Sequence, residues 1–93
     1  MVTKIEVINN SWLSIQKDEA NHIILKLSEI EDILININDE KDVQLITLIM
    51  SGGHQHQIKL EVPNELKYIL TENQQKEFIN NQKNELLNKI INN

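Results

Sequence analysis

The sequence predicts an α+β domain: a small antiparallel β-meander sheet or partly closed barrel of about five strands, followed by a broken C-terminal helix. Three observations carry that expectation. Val43 to Val62 reads as two apolar runs joined by Gly52-Gly53, the pattern of a β-hairpin. Short β-prone runs precede it, and after Pro63 the apolar spacing changes from two residues to three and four. With 93 residues, 40% hydrophobic and 25% charged, the chain fits one domain over 1–93, with its sheet in 1–62 and a helical segment in 63–93.

In the central hairpin, Gly52 and Gly53 take positive φ angles without Cβ strain, as a two-residue turn requires. Such a turn sets Ser51 opposite His54, Ile49 opposite His56, Thr47 opposite Ile58, Leu45 opposite Leu60 and Val43 opposite Val62. One face is then almost wholly apolar. Ile46, Leu48 and Met50 fall on the other face and need a cover, either a helix of the same chain or a second subunit.

Upstream, VTKIEVI and SWLSIQ flank Asn9-Asn10 and predict a first hairpin, with Trp12 near Val7 as a core or interface anchor. Lys17 to Asn38 has two readings. As a helix capped by Asp18, it places Ala20, Ile23, Ile24, Leu27, Ile30 and Leu34 at three- and four-residue spacing. As strands, HIILKL and DILININ are joined through LSEIED. Two strands are preferred, because Ile33, Ile35 and Ile37 alternate and an Asn-Asp-Glu-Lys-Asp turn leads into the central hairpin.

Downstream, Pro63 suits a helix start and places Leu66, Ile69 and Leu70 on one side. TENQQKE interrupts the stripe, and Thr71 with Gln74 has the spacing of a capping box, so a break and restart falls near Thr71. A helix from Glu72 to Ile91, about 30 Å long, carries a second stripe of Ile79, Leu86, Leu87, Ile90 and Ile91. That stripe is a candidate contact with a partner or a second copy, and packing back on the sheet is its plainer use.

The formal net charge is -5, and all nine basic residues are scattered lysines. Binding to a nucleic-acid backbone by counterion release needs clustered cations, so nucleic acid is not an expected partner. Cysteine is absent, which excludes disulfides, thiolate metal sites and a Cys nucleophile. No basic, apolar leader opens the sequence and no run reaches the length of a membrane span, so a cytoplasmic protein with no membrane association is expected. Abundant Asn, Ile and Lys without Arg suggests an AT-rich genome, which includes many phages and mobile elements.

The candidate chemistry gathers at the hairpin tip. Ser51, Gly52, Gly53, His54 and His56 offer a hydroxyl, exposed backbone N–H groups and two imidazoles, a set able to receive a phosphate or nucleotide. A plain polar turn explains the same residues. Two histidines are too few for a metal site, and His22 is the only other one. The acids Glu29, Glu31 and Asp32, and Asp39, Glu40 and Asp42, read as solvated connections, with Lys41 interrupting any calcium-loop pattern. No nucleophile elbow or phosphate-loop motif occurs.

No cofactor, metal or catalytic role is therefore expected. The leading expectation is a non-catalytic regulator or inhibitor of a protein partner, of the anti-defence type that phages and mobile elements carry. The alternative is a symmetric homo-oligomer that sequesters a small ligand such as a nucleotide at a subunit junction near the hairpin tip.

Overall fold

Six strands form two separate three-stranded antiparallel sheets, followed by a C-terminal helix, in a computed structural model that describes residues 4–38 and 43–92. The α+β class stands, but among the described residues there are six strands rather than five, and no barrel closes. The first sheet orders β1 (Lys4–Ile8), β2 (Trp12–Gln16) and β3 (His22–Lys26); the second orders β4 (Ile30–Asn38), β5 (Val43–Met50) and β6 (Gln55–Glu61). The acids Asp39, Glu40 and Asp42 lie outside the described residues.

The β1–β2 hairpin turns at Asn9 and Asn10, whose φ angles of 52° and 56° are in the left-handed region that asparagine tolerates. Ser11 N–H closes that turn on the Ile8 carbonyl at 3.1 Å. Trp12 stands opposite Ile8 and Lys26, not beside Val7, and it lies on the face away from the core, 42% exposed. The core position is taken by its neighbour Leu13.

Residues 22–38 form two strands, as the alternating isoleucines predict, but these strands do not pair with each other. A single 3-10 turn, Leu27–Glu29, separates them, and Leu27 N–H donates to the Ser11 carbonyl at 2.9 Å. β3 thus finishes the first sheet, and β4 begins the second.

The central hairpin differs from the sequence expectation in its loop. Gly53 N–H donates to the Met50 carbonyl (3.0 Å) and Met50 N–H to the His54 carbonyl (2.8 Å), so the loop holds Ser51, Gly52 and Gly53. Both glycines have positive φ, 92° and 89°. A third loop residue slips the pairing by one: Leu48 faces His56, Ile46 faces Ile58 and Val43 faces Glu61. Because side chains alternate, this slip inverts the two faces of β5. Ile46, Leu48 and Met50 therefore point into the core, where Ile58 and Leu60 join them.

Their cover comes from the same chain. Ile5, Leu13, Ile15 and Leu25 of the first sheet share one cluster with the β5 and β6 residues and with Ile79 and Leu86 of the last helix. The helical segment is broken as expected: α1 spans Asn64–Lys67 and α2 spans Glu72–Ile91. Thr71 and Gln74 form the capping box, with Thr71 Oγ1 accepting from Gln74 N (3.2 Å) and Gln74 Oε1 from Thr71 N (2.9 Å). α2 lies against β1 and β6, and Lys89 Nζ donates to the Ile5 carbonyl. No described helix is long and apolar enough to cross a membrane.

Candidate functional site

The β5–β6 loop bends over the end of the first sheet. Ser51 N–H donates to the Glu29 carbonyl at 2.7 Å, and Ser51 Oγ donates to Glu31 Oε1 at 3.3 Å. These bonds hold the tip beside β3 and leave an open depression of about 420 Å³ between them, with Ser51, His54 and His56 on one side and Trp12, Ile24 and Lys26 on the other. Three of the five sequence-predicted ligand residues thus line one space. Gly52 and Gly53 are exposed at the loop tip and supply its curvature.

Sequence reasoning did not bring Trp12 and Lys26 to this site. They are directly opposed across β2 and β3, a relation visible only once the register is known. The depression combines an aromatic face, an ammonium, two imidazoles and a hydroxyl. Among the described residues, no group of three His, Cys, Asp or Glu side chains is placed to hold a metal ion.

A second polar pair lies on the outer face of the first sheet, where Ser14 Oγ and His22 Nε2 are 2.6 Å apart. Ser14 is buried despite facing away from the core. Its hydroxyl is occupied within the sheet surface and is not presented to a substrate.

The proposed contact residues of α2 divide by exposure. Ile79 and Leu86 are buried in the chain's own core, Leu87 and Ile90 are half-buried, and Ile91 is exposed. Within the single chain, the stripe therefore packs largely on the two sheets.

The most exposed large apolar residues lie instead in the elbow between α1 and α2. Tyr68 is 94% exposed and Ile69 is 74% exposed. The sequence pattern sets Ile69 with Leu66 and Leu70 on one side of a helix, but α1 ends at Lys67 and the chain turns there. Leu66 and Leu70 pack against the core on either side of the pair. Gln75 Nε2 donates to the Lys67 and Leu70 carbonyls at 3.2 and 3.1 Å, so the elbow is held by hydrogen bonds as well as by packing. The only signal for it in the sequence was an aromatic residue just ahead of a helix cap.

No protein-family model, curated protein or solved structure matches the chain.

Proposed function

We propose that the chain is a small non-catalytic binding protein, a regulator or inhibitor that engages a protein partner through the Tyr68–Ile69 elbow. The observation that supports this is the outward display of two adjacent large side chains on an ordered turn. Isolated exposed apolar residues are ordinary on protein surfaces. An adjacent Tyr and Ile, anchored on both sides by Leu66 and Leu70 and hydrogen-bonded through Gln75, loses little conformational freedom when a pocket closes around it. Tyrosine also combines a large apolar ring with a hydroxyl able to find a partner, which is why it recurs at binding hot spots.

The test places a photo-crosslinking benzoyl-phenylalanine at position 68 and exposes the protein to extract of the cells that encode it. One dominant adduct, lost on competition with unlabelled wild type but not with Tyr68→Ala/Ile69→Ala, is the expected result. Each alanine should weaken the isolated complex by about 2 kcal/mol, roughly 30-fold. Equal labelling from the exposed control position Lys76 would remove the elbow from the mechanism.

The depression at the hairpin tip favours a second reading, capture of a small anionic ligand such as a nucleotide. Trp12 supplies a stacking face and Lys26 a cation, with Glu29 also on the lining. Trp12 is the only tryptophan in the chain, so its fluorescence reports directly on this site. Titration with ATP should change the emission, and His54→Ala/His56→Ala should weaken the response. An unchanged spectrum at millimolar ATP eliminates the nucleotide reading.

A further inference from the structure

We infer that the free edge of β4 is a self-association surface, at which β4 of a second copy pairs antiparallel about Leu34 to join two three-stranded sheets into one of six strands. This inference is independent of the Tyr68–Ile69 elbow.

β4 is the longest strand, nine residues, and it pairs only with β5; its other side has no neighbouring strand among the described residues. Edge strands are usually blunted by Lys, Pro, bulges or short length, because unpaired N–H and C=O groups template further pairing. IEDILININ has neither Lys nor Pro. Its one register shift lies between Ile30 and Asp32, at the acidic end, and the ladder from Asp32 to Asn38 is regular. Along that regular stretch the strand still shows apolar side chains on both faces: Leu34 is 55% exposed and Ile35 is 40% exposed.

The pattern is self-complementary in one arrangement. A two-fold axis at Leu34 pairs residues 32–36 of the two copies, all of them within the regular stretch. Leu34 then meets Leu34, Ile33 meets Ile35, and Asp32 meets Asn36, whose side-chain amide can donate to the carboxylate. Glu31 and Asp32 of the two copies sit at opposite ends. Parallel pairing would instead set those acids side by side, an unfavourable like-charge contact.

Each copy carries a net charge of -5, so association should strengthen as salt screens the repulsion.

Sedimentation equilibrium tests the inference on the full chain. Wild type at 100 μM should be a dimer, with a dissociation constant that falls several-fold between low and high salt, whereas Leu34→Lys should be monomeric with an unchanged circular dichroism spectrum. A Leu34→Cys variant supplies a readout that does not depend on the lysine variant folding. Facing residues of antiparallel strands have Cα atoms about 4.5 or 5.5 Å apart, within disulfide reach, and the chain has no other cysteine. Oxidation should therefore give a covalent dimer from Leu34→Cys and none from Thr47→Cys, which is on the central strand of the same sheet. A monomeric wild type overturns the inference. So does a dimer that cross-links through Thr47→Cys, by face stacking, or through Ile91→Cys, by the last helix, in place of Leu34→Cys.

Discussion

The backbone N–H of Ser51 donates to the carbonyl oxygen of Glu29 at 2.7 Å. That bond fastens the loop of the second sheet to the 3-10 turn by which the chain leaves the first. It also accounts for the shape of the candidate ligand site, since the depression lies between the fastened loop and β3.

The loop should be sensitive to side chains that meet no obstacle. A Cβ added at Gly52 or Gly53 has nothing within 4 Å, yet both residues have φ near +90°. Gly52→Ala and Gly53→Ala should each cost about 1–2 kcal/mol from backbone strain alone, read as a lower urea midpoint with an unchanged slope. No cost at either position would contradict the left-handed backbone of this loop.

The capping box at Thr71 offers a second measurement. Thr71→Ala leaves Gln74 N–H without its side-chain acceptor and should destabilise the protein by about 1 kcal/mol. Thr71→Ser keeps the oxygen and should recover most of that loss.

Leu86 and Ile91 lie on the same helix but should respond differently. Leu86 is buried with Ile79 in the core that both sheets share, so Leu86→Ala should cost about 2–5 kcal/mol and approach global unfolding. Ile91 is exposed, and Ile91→Ala should stay within about 0.5 kcal/mol of wild type. Comparable effects at the two sites would mean that the helix does not pack on the sheets.

Acid stability should depend on Asp18. The Asn21 side-chain amide, with the backbone N–H groups of Ala20 and Asn21, donates to its carboxylate and lowers its pKa from the ordinary 3.8. A carboxyl with a depressed folded pKa stabilises the fold above the unfolded value and loses that contribution as the pH falls through the folded one. Below about pH 4, Asp18→Asn should therefore lose less stability on acidification than wild type, measured by urea midpoints across pH. A parallel pair of curves would show that the carboxylate does not couple to folding.

The elements of this fold were largely legible, whereas their assembly was not. Asn9-Asn10, the alternation of Ile33 and Ile35, and the Thr71–Gln74 spacing each act through local backbone chemistry, and each marks the feature it predicts. The β5 register depended on loop length, and Gly52-Gly53 permits two or three loop residues equally well. The shorter loop sets Ile46, Leu48 and Met50 on the face away from Ile58 and Leu60, whereas in the structure all five share one core, and the cover comes from the same chain, from the first sheet and the last helix together. Nothing in LSEIED signals that β3 and β4 belong to different sheets. The hairpin-tip residues were identifiable by their chemistry, but Trp12 and Lys26 reach them only through that division of the chain.

The contact between Lys89 and the Ile5 carbonyl joins positions 84 residues apart, which sets an order on biosynthesis. Ile5 and Leu13 leave the ribosome long before Ile79 and Leu86 exist to cover them. At about 5–20 residues per second, the interval between Ile5 and Leu86 is roughly 4 to 16 s. Each three-stranded meander is local enough to form during that wait, but the first remains open along the surface that α2 will occupy. A nascent chain stalled before residue 79 should therefore be recognised by chaperones as unfinished, although all six described strands have already been synthesised.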